Sequence, residues 1–560
     1  MVSKHPLRHN LKPAMLVMVV PFSIGAFVVW YVLSGMYGRA LAEAGNERLV
    51  TMGWPAAVQA FQRHAPDYSR KFAYYQVKDG QTLATLADWF GVDQAKLASL
   101  NPGLVVPGTT IMVPPVDHPL AAAPGPNGVL TSANVAVDQG MLHIKQSFRN
   151  PKATTTIPDL MRLLSPWNAI QQIGPATYRI TRPISVEDNI QLDVTGATVK
   201  KLELQSGHLA AACLCSSRSE VLIKDTDITS YDPSAHGPDT NAGDGRAFVR
   251  NINGRQDIIG SRLEYLGTGL PKATTGIDPA FASARQDGAT YGVSWRVSDG
   301  TFGSNITTGW VENSTFDHNY IGAYSYGGSG ITWKNNRFEN NTTYGLNPHN
   351  DSNNALITGN TFDHNGLHGL ILTKRSDYNI IQGNVSYDNR LHGIVLNDNS
   401  SHNLLNGNLS YRNTDNFVIY GSSFNTLSGN QSFSPARSGV RISNASSDNY
   451  ITNNVLEGGP HGLYIYNSST NVLATGNWIH GARKALQTQG AINVVFASNE
   501  IDGLRYAIAP SDRLIFGPNT INRIDITPPA AVLADNPSRP TLWRSLTSLV
   551  KNQNLIPGHF

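Results

Sequence analysis

His349 lies in the run Tyr-Gly-Leu-Asn-Pro-His-Asn-Asp, residues 344–351. A neutral imidazole accepts a proton near pH 7, so a histidine held in one orientation is a natural general base. The proline before it removes a backbone donor from any strand it enters, an irregularity most easily explained at a working site. Tyrosines at 324, 326 and 344 supply phenols, and Lys374 and Arg375 supply cations. A base, a cation and a phenol brought together could remove a proton from a weak carbon acid whose negative charge the cation absorbs.

What could bring them together is a period of 24 residues. Gly345, Gly369 and Gly393 are spaced 24 apart, as are Asn341, Asn365, Asn389 and Asn413. Short β runs repeating with Asn and Gly at this period indicate stacked coils of a β-solenoid. Stacking places residues one period apart on adjacent strands, about 4.8 Å from each other. Alternation along the strand then sorts the faces. Leu346 and Pro348, Leu370 and Leu372, and Ile394 and Leu396 are expected inside. Asn347, His349, Asp351, Thr373, Arg375 and Asn397 are expected outside. Aligning Gly322 of the preceding coil with Gly345 puts Tyr324 beneath Asn347 and Tyr326 beneath His349, and the period puts Arg375 directly above Asp351. The outward row continues through Arg441, Tyr464 and Tyr466 to Gln487 and Gln489. The Asn file is expected to be structural, because stacked amides satisfy one another and the turn backbone.

The chain has 560 residues, only 15% of them charged, and a net charge of +3. That balance gives no reason to expect nucleic acid as a partner. The only cysteines, Cys213 and Cys215, form C-x-C. This spacing rarely closes a disulfide and lacks metal-site partners, so two same-face residues of a strand are expected. Residues 14–33 form an apolar run of bilayer-spanning length. Lys4, Arg8 and Lys12 precede it and Glu43 and Glu47 follow, which puts the N-terminus in the cytoplasm and the rest of the chain outside. A retained anchor in the inner membrane is favoured over a signal peptide cleaved after Ala40-Leu41-Ala42.

The expected order is a cytoplasmic tip and membrane anchor (1–40), a linker (41–74), a small α/β domain (75–115), a Pro/Ala linker (116–127), the solenoid (128–527) and a tail (528–560). The segment 75–115 resembles a LysM domain along its whole length. Gln76-Val77 should begin its first strand, Asp79 to Thr82 should cap its first helix and Asn101-Pro102 should close the second. The resemblance implies binding to N-acetylglucosamine-containing glycans, in bacteria usually peptidoglycan. Within the solenoid, a short helix is expected near 158–164. The stretch 270–289 reads as an insertion beside the groove and 539–552 as an amphipathic capping helix.

From about 155 to 525 the sequence resembles the periplasmic mannuronan C5-epimerases of alginate biosynthesis, the AlgG type. The blocks that carry the resemblance are G-P-D-T-N-A-G-D-G-R (237–246), Y-G-V-S-W-R-V (291–297), Y-I-G-A-Y-S-Y-G (320–327), residues 344–351 and T-K-R ending at Arg375. It implies a right-handed parallel β-helix acting on polymannuronate or a similar anionic polysaccharide, with export proteins as further partners. His349 matches the proposed base, Arg375 the group that neutralises the substrate carboxylate, and Tyr344 a tyrosine used in proton transfer. Tyr326 is the alternative donor or a sugar platform. Tyr324, Tyr326, Asn350, Asp351, Thr373, Lys374, Asn397 and Arg441 are expected to bind substrate. No cofactor is required, and Ca2+ is left open. The chain departs from the family's Y-G-x-D-P-H-D motif at Asn347 and Asn350, where the motif has Asp. Asn347 can still accept from the imidazole Nδ1–H but brings no charge, so a weaker base is expected. A polyuronate lyase and a scaffold that binds the polymer without turning it over are the alternatives.

Overall fold

The computed structural model describes residues 71–521, apart from 124–127, 208–210, 244, 270–290, 299–304, 503–505, 510–511 and 517–518. The apolar run 14–33, the insertion 270–289 and the tail 539–552 therefore lie outside the described residues. Among the described residues, no helix is long and apolar enough to cross a membrane.

From residue 135 onward the chain winds into a parallel β-helix of three long sheets. One coil runs Leu346–His349 on a front sheet, Leu356–Thr358 on a side sheet and Thr361–Asp363 on a back sheet, and Leu370–Thr373 opens the next. The period sets the register: Leu346 pairs with Leu370, and Leu370 with Ile394. All three are fully buried. On the back sheet Phe316, Phe338 and Phe362 stack with ring centroids 4.8 and 5.1 Å apart.

Files of buried asparagines hold the corners, one of them through Asn379, Asn403, Asn425 and Asn449. Asn341, Asn365, Asn389 and Asn413 form the file expected from the period, each amide donating to the next at 2.9–3.1 Å. Another file runs through Asn336, Asn360, Asn384, Asn408, Asn430 and Asn454 at 2.9–3.0 Å. Each amide also caps backbone groups, so a corner can be buried without orphaned donors. The repeating glycine has a steric cause, since a Cβ on Gly345 would stand 2.5 Å from the Gly369 carbonyl oxygen of the next coil. The front-to-side corner turns on paired left-handed residues: Asn350 and Asp351, Lys374 and Arg375, Asp398 and Asn399.

The short helix spans Ile157–Leu163. The cysteine expectation is corrected. Cys213 and Cys215 share one face of a strand, as expected, yet they are disulfide-bonded. Their Cα atoms are 5.4 Å apart, closer than the roughly 6.6 Å of an unperturbed strand and inside the range a disulfide spans.

The LysM-like domain pairs Ala73–Gln76 with Thr110–Val113 and packs helices Leu83–Phe90 and Gln94–Leu100 against them. Its first strand ends at Gln76 instead of beginning there. Thr82 caps the first helix through a capping box with Thr85, and Asn101 closes the second. The domain is clamped to the β-helix. Arg255, 1% exposed, donates to the Asp88 carbonyl at 3.0 Å and the His118 carbonyl at 2.8 Å while forking onto buried Asp257. Lys152 bridges Asp88 and Glu220 at 2.6 and 2.7 Å. The segment after the domain does not hang free, because Leu120 N donates to Asp257 and Ala123 N to Asp193.

Candidate active site

The outer face of the front sheet brings most of the expected residues together. Tyr324 pairs with Asn347 and Tyr326 with His349; above them His349 pairs with Thr373, and Thr373 with Asn397. Between Leu346–Leu370 and His349–Thr373 the ladder is interrupted at Pro348, which has no N–H to give. His349 is half-buried at the edge of the turn.

Burial, reinforced by Lys374, holds the His349 pKa below its ordinary value, against the Asn350 amide and the Asp398 charge, which favour the protonated form. The imidazole is therefore neutral near pH 7, the state a base requires. The expected contact with Asn347 is not made. Asn347 Oδ1 and His349 Nδ1 are both buried without a hydrogen-bond partner. Asn347 is instead 4% exposed. The side chain that reaches the imidazole is that of Asn350. Asn350 also occupies a left-handed conformation, φ 41°, which Asn and Asp adopt more readily than other side chains.

Arg375 stands above Asp351 as the period requires. Its Nε and Nη2 fork onto the carboxylate at 2.9 and 2.8 Å, and the guanidinium is largely exposed. Asp351 thus holds one edge of the guanidinium in a fixed plane. Lys374 and Arg375 both take left-handed backbone conformations, φ 56° and 59°, an uncommon cost for two long side chains that turns both out of the sheet.

Beneath His349 lies an aromatic layer. Tyr324 is 2% exposed, stacks on Tyr291 at 3.7 Å and reaches the imidazole at a centroid distance of 5.6 Å. Burial and the neighbouring Tyr291 push its pKa far up, so it remains a hydrogen-bond donor. Arg296 lies over the Tyr326 ring at 5.0 Å and the Tyr291 ring at 5.7 Å. Tyr291 and Arg296 belong to the block Y-G-V-S-W-R-V but were not among the residues expected at the site. The register runs Arg296, Tyr326, His349, but Arg296 and Tyr326 are 30 residues apart, so the period could not have placed Arg296.

Two expected residues lie apart from His349. Tyr344 stacks on His368 at 5.3 Å and covers the outward apolar strip of Ile371, Val395 and Val418. Among the described residues it makes no ring contact or hydrogen bond with His349. Arg441 lies four strands along the same face, through Asn347, Ile371, Val395 and Val418, and is held by Asp415. Among the described residues no group of three or more His, Cys, Asp or Glu is placed to hold a metal ion.

Comparison with known proteins agrees with this architecture. Residues 286–432 match the right-handed β-helix region, 75–114 the LysM domain, and 392–509 a periplasmic copper-binding protein family, NosD. A mannuronan C5-epimerase of Pseudomonas putida is 27% identical over 204 residues, 35% of each chain. The mannuronan C5-epimerase AlgG of Azotobacter vinelandii is 28% identical over 201 residues, 35% of this chain and 34% of its own. The alignments thus span about a third of these relatives' length. A crystal structure of the periplasmic alginate epimerase AlgG superposes with a TM-score of 0.53 at 19% identity, covering 85% of this chain and 98% of that one.

Proposed function

We propose that this LysM-bearing relative of the alginate epimerases is itself a C5-epimerase, converting D-mannuronate to L-guluronate within a polyuronate. H5 of a hexuronate lies α to a carboxylate and is very weakly acidic. Arg375 pairs with that carboxylate and absorbs the charge that develops as H5 leaves. His349 takes the proton from one face. A phenol of the aromatic layer, or water, returns a proton from the other face, and the centre is inverted with every bond retained. Tyr326 carries the sugar, backed by the buried Tyr324, with Thr373, Lys374 and Asn397 along the same face. Tyr326, in register under His349, suits the donor's role better than Tyr344, which faces His368.

The single observation that carries this reading is a neutral, half-buried imidazole at the rim of a sheet whose next corner presents Lys374 and Arg375. The test is to incubate the protein with polymannuronate in D2O and follow guluronate signals and deuterium at C5 by NMR. Guluronate with deuterium at C5 supports the proposal. An unsaturated, ultraviolet-absorbing end with chain shortening points to a lyase instead. Polymer binding without either change favours the scaffold, a reading supported by Asn347 and Asn350 at the motif's Asp positions and by the Asp351 already on Arg375.

The AlgG of the crystal structure is named as periplasmic, and a wall glycan is the ligand we propose for the LysM domain. We place the chain outside the cytoplasm, anchored through residues 14–33. A reporter joined at Asn127 that is active only in the cytoplasm would refute that placement.

A further inference from the structure

About four coils from His349, the same face of the front sheet carries a second cluster of charge. Asp415 is fully buried and accepts from Arg437 Nε at 2.8 Å, from Arg437 Nη2, and from Arg441 Nε at 2.8 Å. His392 Nδ1 lies 3.3 Å from the same carboxylate. Arg441 Nη2 faces His392 Nε2 at 3.2 Å, and a guanidinium only donates, so that nitrogen carries no proton. Burial holds His392 well below its ordinary pKa, at about 4, so it adds no charge near pH 7. Two guanidiniums therefore share one carboxylate, and the cluster keeps one positive charge beyond what Asp415 cancels.

Beside that excess charge lies a pair of stacked phenol rings. Arg441, 8% exposed, donates through Nη1 to the Tyr466 hydroxyl at 3.2 Å and to Ser443 Oγ at 3.3 Å. Tyr464 and Tyr466 stack at 4.4 Å, with His461 against Tyr464 at 5.0 Å. Arg437 keeps 41% of its side chain exposed. Lys484 follows His461 in register, and Gln487 and Gln489 follow Tyr464 and Tyr466. Between this cluster and His349, Thr373, Asn397 and the 40%-exposed Tyr420 line one continuous row. A coil rises about 4.8 Å, close to the length of one pyranose unit. A buried cation next to paired phenol rings suits a hexuronate, which offers a carboxylate and a ring face.

We infer that Arg437, Arg441, Tyr464 and Tyr466 form a distal carboxylate-binding subsite for the same polymer, about four sugars from the reacting one. The inference rests on a polyuronate being the ligand and does not require that it be turned over. A short oligomer then has two separate places to bind, whereas a longer one spans both and gains from the link between them.

The test is calorimetry of the full chain with tetra- and deca-mannuronate. Two tetramers and one decamer per chain are expected. Arg437→Gln combined with Tyr464→Ala should reduce the tetramer count to one and weaken the decamer about tenfold or more. Tyr464→Ala alone leaves the Asp415 contacts intact and should act in the same direction, with an unchanged melting temperature. A single tetramer site in the unaltered protein overturns the inference, and so do variants that keep both sites. Stoichiometry is read without turnover. Two-site binding without deuterium at C5 removes only the epimerase reading, and deuterium uptake with one-site binding removes only the subsite.

Discussion

At the scale of single residues, the site turns on how His349 and Arg375 are held. His349→Ala should abolish deuterium uptake at C5. Arg375→Ala should slow turnover by several orders of magnitude, because about 3–5 kcal/mol of carboxylate stabilisation goes with it. Arg375→Lys should recover part of this, keeping the charge but not the fork that Asp351 aligns. The acid limb of the pH–rate profile reports protonation of the base. With His349 held below its ordinary value by burial and Lys374, that limb should lie below about pH 6.5. Asn347→Asp places a carboxylate beside the imidazole, so the limb should move to higher pH, and an NMR titration of the His349 ring should move with it. A limb unmoved by Asn347→Asp would mean that the two side chains do not sense each other. The pairing of Asp351 with Arg375 was legible in the sequence because it follows from the period, and that of Tyr326 with His349 because Gly322 and Gly345 align their two coils. The ring of Tyr344 packs against Ile371 and Val395, a contact that could not be read from the spacing. No period dictates a rotamer.

At the scale of elements, the corner files of asparagine are the part of the fold with the least tolerance. Asn384 Nδ2 donates to the Ile357 carbonyl at 2.8 Å and to Asn408 at 2.9 Å, and its Oδ1 accepts twice from Asn360. Asn384→Ala leaves these buried groups unpaired and should cost about 2–4 kcal/mol, measured by chemical denaturation. The stacked imidazoles of the front sheet set a pH window. Burial lowers His368 to about 3 and His392 to about 4. Above about pH 6.5 neither the folded nor the unfolded chain protonates these rings, so they leave stability unchanged. As pH falls below that value the unfolded chain takes up protons that the folded one refuses, so stability declines toward pH 4. The melting temperature should fall over this range, and His368→Gln should flatten the fall. The files and sheets were readable because local chemistry repeats. The Cys213–Cys215 bond was not, since it depends on how far one strand contracts.

At the scale of the whole molecule, the least legible feature was the seat of the LysM domain. Pro and Ala between 116 and 127 read as a tether, yet the contacts that fasten the segment join His118 to Arg255 and Leu120 to Asp257. Only the folded chain brings these residues together. Arg255→Ala would leave Asp257 buried without its partner and should cost about 3–5 kcal/mol. Proteolysis should then open the chain between 114 and 123, whereas the unaltered protein resists cleavage there. An Arg255→Ala protein as resistant as the parent would show that the clamp lies elsewhere. A clamped domain differs from a tethered one in what it transmits. A tether fixes only how far an enzyme wanders from its anchorage, whereas a clamp also fixes which way it faces. If the LysM domain grips a glycan strand of the wall, the front-sheet groove is held at a constant angle to that strand. The polymer would then leave every copy on the same heading, like thread through the eyelet of a loom.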